Sequence, residues 1–132
     1  MNGLISIQSN FDPTETVKRL EAEMRRHGMT VFARIDNAAL ANEAGLPLLP
    51  TVLIIFGDPK VGTPLMQANQ LIGIDLPLKF LVWQDPAGRT WLAYNDPEWL
   101  PDRHGLAADL NQITAGMADA LTAMARKVTS IR

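Results

Sequence analysis

Leu78-Lys-Phe-Leu-Val-Trp-Gln-Asp-Pro-Ala-Gly-Arg-Thr-Trp-Leu-Ala-Tyr-Asn95 is the stretch whose reading decides the fold. Two apolar, aromatic-rich runs flank Asp85-Pro-Ala-Gly88, where proline suits the second position of a type I turn and glycine the left-handed position behind it. The stretch therefore predicts a hairpin, Leu78 to Gln84 against Arg89 to Asn95. A bulged turn of this length pairs Trp83 with Trp91 and Phe80 with Tyr94. Because strand side chains alternate, the two aromatic pairs fall on opposite faces. Both faces of the sheet need cover: helices take one, and the other receives further helices, a second subunit or a ligand pocket.

Working outward, Thr51 to Phe56 reads as a buried strand, Thr30 to Asp36 as another, and Gly3 to Gln8 alternates around Ile5 and Ile7. Asp12-Pro-Thr-Glu15 supplies an N-cap, a first-turn proline and an N3 glutamate, so a helix starts there and ends at His27-Gly28. Asn37 to Gly45 is an alanine-rich short helix, broken by Leu46-Pro-Leu-Leu-Pro50. Thr63 as N-cap with Pro64 in the first turn predicts a third helix running to about Asn69. Leu110, Ile113, Met117, Leu121, Met124 and Val128 form one long amphipathic stripe, its methionines serving as core packing. The order β-α-β-α-β-α-β-β-α predicts a two-layer α/β sandwich, a roughly five-stranded sheet with helices packed on it.

A chain of 132 residues has the size of one domain, taken here as residues 1–132. A net charge of -2 provides no basic field, which argues against nucleic acid as a partner. The absence of cysteine excludes disulfides, thiolate catalysis and thiolate-bound metal clusters. No signal peptide is visible and no apolar run approaches the ~20 residues of a membrane span, so the expected location is cytoplasmic, with no membrane partner. His27 fits a helix C-terminus and His104 lies in Pro101-Asp-Arg-His-Gly105, a connection before the last helix. No paired metal-ligand spacing and no nucleophile elbow occurs, so neither a metal, another cofactor nor serine hydrolysis is expected.

The chemistry-bearing residues cluster in Phe56-Gly-Asp-Pro-Lys-Val-Gly-Thr-Pro-Leu-Met66 and Gly73-Ile-Asp-Leu-Pro-Leu-Lys79. Gly57 and Gly62 have the spacing of a phosphate loop, but such a loop needs lysine directly before its Ser/Thr. Here Thr63 follows Gly62 and Pro64 removes a backbone donor, which excludes triphosphate binding. A weaker anion contact by backbone amides at Gly62 and Thr63 with Lys60 remains, beside the plainer reading of a tight turn. Asp75 either caps a turn or extends a carboxylate into a cavity. Lys79 points to the face of Leu81 and Trp83, where it binds an anionic ligand or pairs with Asp75 or Asp36. Asp36, Asp75 and Lys79 each sit at a strand edge and are expected near one another.

At Phe56 to Met66, Ile74-Asp-Leu-Pro-Leu-Lys79 and Tyr94-Asn-Asp-Pro97 the chain resembles the bacterial family of domain of unknown function 302. Ala33-Arg-Ile-Asp36 and Asp102-Arg-His-Gly105 extend the resemblance over nearly the whole chain. It implies a compact α/β domain of the TT-1751-like kind and no established activity. The positions matching the family pattern are Asp36, Phe56, Gly57, Pro59, Gly62, Thr63, Asp75, Pro77, Lys79 and Tyr94. Members commonly carry histidine after the first of these, where this chain has Asn37, which cannot shuttle a proton near neutral pH.

Three functions compete. The first is a homodimeric binding or accessory module, with a pocket for a small anionic ligand between the sheet and the loop after Phe56. The second is an enzyme acting on a small anionic metabolite, Lys79 or Lys60 orienting it and Asp75 or Asp36 moving a proton. The third is a structural interaction protein. Candidate ligand-binding residues are Asp36, Lys60, Gly62, Thr63, Asp75, Lys79 and Tyr94.

Overall fold

The computed structural model describes residues 3–131. Its strands are β1 (Leu4–Ser9), β2 (Thr30–Asp36), β3 (Thr51–Gly57), β4 (Leu78–Gln84) and β5 (Thr90–Asn95). Helices α1 (Pro13–Arg26), α2 (Asn37–Glu43) and α3 (Pro59–Ala68) link the first four strands, and α4 (Leu100–His104) and α5 (Asn111–Thr129) follow the hairpin. The strands form one antiparallel sheet ordered β1-β5-β4-β3-β2.

The hairpin sets the register as its turn dictates. Phe80 pairs with Tyr94 and Trp83 with Trp91. Phe80 and Tyr94 meet edge-on at 5.2 Å, while Trp83 and Trp91 stack at 6.3 Å on the other face. Gly88 takes φ +85°, a conformation that costs a side chain strain. Asp85 organises the turn: Oδ1 accepts the N–H groups of Ala87 and Arg89, and Oδ2 accepts from Arg89 Nε at 3.0 Å and Trp91 Nε1 at 2.9 Å. These donors, the Trp91 N–H foremost, outweigh burial and lower the Asp85 pKa to about 2.

The inner face of the sheet carries Ile54, Phe56, Phe80, Val82, Leu92 and Tyr94 beneath α1 and α5. Phe56 stacks on Phe80 at 5.3 Å, and Leu20, Met24, Leu121 and Met124 close over them. Burying a side chain of this kind contributes about 1.5–3 kcal/mol, so this layer carries the fold. The two helices are also tied by Glu23, which meets Arg26 at 3.2 Å, His27 at 2.8 Å and Lys127 at 3.3 Å. The Arg26 hydrogen bond is the largest of the influences that lower the Glu23 pKa to about 2.

The outer face is different. The register places Ala33, Ile35, Leu53, Ile55, Leu81, Trp83 and Trp91 together there, and neither apolar core includes them. Lys79 is the one charged residue that the strands turn to this side among the described residues.

The third helix corrects the sequence reading. Thr63 is not its N-cap. Asp58 is, with Oδ1 accepting the Lys60 N–H at 2.9 Å, and Thr63 and Pro64 lie inside the helix. Asp58-Pro59 repeats the cap-and-proline pattern of Asp12-Pro13 and acts first along the chain. Pro64 brings no N–H to the Lys60 carbonyl, and the helix absorbs that one missing bond. Also beyond the sequence reading are α4 and three short 3-10 segments, Gln70–Ile74, Pro97–Trp99 and Ala108–Leu110.

Candidate functional site

A cavity of about 470 Å³ opens between α3, the start of β4 and α5. On its α5 side, small residues stand among the larger Ile113, Met117 and Leu121. Within α5, Gly116 and Ala120 both line the space, and a Cβ built on Gly116 would meet no heavy atom within 4 Å. The second apolar core, around Leu65, Ile72, Leu76 and Met117, props this end of the molecule open. A β-bulge between Val31 and Ala33 turns Phe32 outward, 48% exposed, onto the cavity's edge. Met29, Met66 and Met117 supply deformable walls. The polar groups lining it include Asp58, Lys60, Thr63 and Gln112. Asp58 is engaged as a cap, whereas the Lys60 ammonium has no carboxylate within 4 Å among the described residues.

The residues singled out in the sequence divide among four places. Lys60, Gly62 and Thr63 line the cavity. Tyr94 is buried in the main core with its hydroxyl 3.4 Å from Thr122 Oγ1. Asp36 caps α2 by accepting the Ala39 N–H at 3.0 Å, and it borders a separate open groove beside α1. That groove is lined by Lys18, Arg25 and Arg34 against Asp12, Glu21 and Asp36, so it presents no net field. Arg34 and Glu21 are in any case joined there in a two-pronged ion pair.

Asp75 and Lys79 do come together, without Asp36. The expected three-residue cluster fails because Asp36 pairs with Val52 at the far end of β3, whereas Lys79 pairs with Ile55. The Lys79 Nζ donates to the carbonyls of Asp75 at 3.3 Å and Pro77 at 3.0 Å, and burial lowers its pKa against the pull of Asp75. The Asp75 carboxylate itself goes elsewhere, to His104 Nε2 at 2.5 Å and Arg103 Nε at 2.9 Å. The void beside Lys79 holds about 20 Å³, room for about one water and not for a metabolite. Acid–base chemistry on a substrate by Asp75 and Lys79 therefore has no geometric support here.

His104 is more than the simple connection that the sequence suggests. Its side chain is only 5% exposed and locks α4 to the segment before β4. The signal was present: Ile74 to Lys79, Tyr94 to Pro97 and Asp102 to Gly105 are three segments of the family resemblance, and they converge at this knot. The second omission is Gly116, a helix-weakening residue amid alanines, which marks the cavity wall. No group of three or more metal-ligating side chains occurs among the described residues.

With that geometry in place, comparison with known proteins gives the kinship. A model for the domain of unknown function DUF302 matches residues 5–124. The chain belongs to the DUF302 family. A crystal structure of an uncharacterized conserved DUF302 protein from Bacillus stearothermophilus superposes with a TM-score of 0.85. The match covers 98% of this chain and 100% of that one at 23% identity, which shows the shared DUF302 fold. Among curated relatives, the fluoride-specific ion channel FluC 1 of Brucella suis biovar 1 (strain 1330) is 49% identical over 111 residues. That match takes in 83% of this chain and 44% of that protein. The fluoride-specific ion channel FluC 2 of Brucella melitensis biotype 1 is 49% identical over 111 residues, 41% of its length. This DUF302 chain thus spans less than half the length of these curated relatives. Among its described residues no helix is long and apolar enough to cross a membrane.

Proposed function

We propose that this protein is a single-domain, homodimeric accessory module of the cytoplasm, whose sheet pairs with that of a second copy and whose cavity receives a small ligand. The outer face of the sheet carries this reading. Five strands about 4.8 Å apart, each advancing about 3.3 Å per residue, make a patch roughly 20 Å on a side. Two such patches in contact cover roughly 800 Å² of flat area in total, and the relief of the side chains brings the buried surface toward the ~1,000 Å² of a specific interface. Its charged residue, Lys79, lies at the margin with its ammonium folded onto main-chain carbonyls, so pairing desolvates no charge at the centre. The same patch on both copies implies a two-fold, isologous contact. Sedimentation at micromolar concentration is expected to give a dimer, and Leu81→Lys a folded monomer with an unchanged circular dichroism spectrum. A monomeric wild type would refute the pairing.

A second reading comes from the curated relatives. Proteins named fluoride-specific ion channels contain a region 49% identical to this chain that makes up less than half of their length. On that reading this chain serves a membrane channel as an attached or associated module without itself forming the conduction path. Adding the protein to vesicles that hold a channel lacking such a region should change the rate of fluoride release. An unchanged rate, with no co-purification, would remove this reading.

A further inference from the structure

We infer that the cavity between α3 and α5 is a binding site for a small amphiphile with an anionic head, its hydrocarbon body lying along α5 and its head at Lys60 and Thr63. The inference rests on the reading of this chain as a binding module, and it does not depend on dimerisation. Four observations converge on it. The space of about 470 Å³ falls within the range of small-molecule sites, and at about 30 Å³ per water-sized group it holds roughly fifteen non-hydrogen atoms. Its walls are hydrocarbon and thioether, so the body of the ligand is apolar, unlike the compact anion that the sequence suggests. The three methionines adapt to an irregular chain better than branched residues do. Finally, the polar groups at the rim are asymmetric.

That asymmetry fixes the head group. Asp58 already accepts the Lys60 N–H, and the N–H groups of Val61 and Gly62 are bonded to the Asp58 carbonyl. The start of α3 is therefore satisfied and does not call for phosphate. What remains are the Lys60 ammonium, which has no carboxylate within 4 Å among the described residues, and the Thr63 hydroxyl and Gln112 amide, which make no hydrogen bond among the described residues. A carboxylate accepts from these donors in charge-assisted bonds, a neutral hydroxyl head makes the weaker uncharged ones, and a cationic head is repelled by Lys60.

The experiment is titration of methyl-labelled methionine with sodium decanoate, 1-decanol and decyltrimethylammonium, each below its aggregation limit. Met66, Met117 and Met29 border the cavity, whereas Met24 and Met124 are buried in the main core and act as internal controls. Decanoate is expected to shift the first three saturably and leave the controls in place, binding at least fivefold tighter than decanol and more tightly still than the cation. Lys60→Gln should bring decanoate down to the level of decanol. Gly116→Leu, which fills the empty wall, should weaken all three at least tenfold, and Gly116→Ala guards against a folding artefact. Equal binding of the anion and the cation, shifts at all five methionines, or undiminished binding by a folded Gly116→Leu would each overturn the proposal. So would an absence of saturable shifts with every probe, while the oligomeric state of the same samples reports separately on the module reading.

Discussion

Phe80 and Trp83 lie on the same strand, each opposite an aromatic residue of β5, and they meet different fates. Phe80 is wholly buried, stacked on Phe56 and sealed by α1 and α5. Trp83 is half-buried, stacked on Trp91 and outside both apolar cores. The residue chemistry on the two faces is alike, and the difference is topological: α1 and α5 pack on the same side. Alternation along a strand thus tells which residues share a face, while connectivity decides which face the chain can cover itself. On the proposed pairing, stability belongs to the inner face and association to the outer one.

The most severe test of that division is Phe80→Ala. Removing a fully buried ring costs about 3–5 kcal/mol. Urea titration should show that loss unchanged between two protein concentrations. Trp83→Ala should behave in the opposite way. A half-buried side chain is worth about 1–2 kcal/mol in the single chain. Any further loss should grow with protein concentration, because it comes from a missing partner. If Trp83→Ala shows no concentration dependence, the two faces do not divide the labour.

Acid provides a milder probe of both layers. Asp85 anchors Trp91 of the outer face and Glu23 ties α1 to α5, and each pKa is lowered to about 2, from ordinary values of 3.8 and 4.5. A carboxylate depressed on folding stabilises the native state above its unfolded pKa and ceases to do so as pH falls through the folded value. Stability should therefore hold above about pH 5 and decline between about pH 5 and 2. Asp85→Asn and Glu23→Gln should each flatten part of that decline, and only Asp85→Asn should alter the tryptophan fluorescence. An acid limb identical in wild type and both variants would mean that neither carboxylate reports on its layer.

The smallest effect sharpens the boundary near the cavity. Asp58→Ala removes the cap of α3 and should cost about 1 kcal/mol. Thr63→Ala should change stability by at most about 0.5 kcal/mol, since its hydroxyl caps nothing. A reversal of that order in denaturation curves would restore Thr63 as the cap.

The fold was legible where local rules agree. Asp12-Pro13, Asp85 to Gly88 and the alternation from Leu78 to Asn95 each specify one local geometry, and the strands, hairpin and long helix follow. Around Pro59 and Pro64 two cap-and-proline signals compete within one helical turn or so, and spacing alone does not rank them. The candidate site was legible only in part. Lys60, Gly62 and Thr63 are contiguous in the chain and remain together in space. Asp36, Asp75 and Lys79 all flank strands, but strand ends lie at both ends of a sheet, and Asp36 falls at the opposite one. His104 meets Asp75 only because α4 folds back across the sheet end, a long-range pairing that no local pattern encodes.

The position of β1 sets the timetable of the molecule's assembly. Residues from Leu4 to Ser9 are hydrogen-bonded to Thr90 through Asn95, so the first strand made waits for the last. At ~5–20 residues per second, β1 spends several seconds of synthesis without its neighbour. Meanwhile β2 to β4 can zip up as a simple meander, each strand against the one before it, and β5 adds to β4 as it emerges. Until β1 docks, β5 is a raw edge, and a nascent chain stalled at that stage offers a strand-shaped vacancy to any other nascent chain nearby.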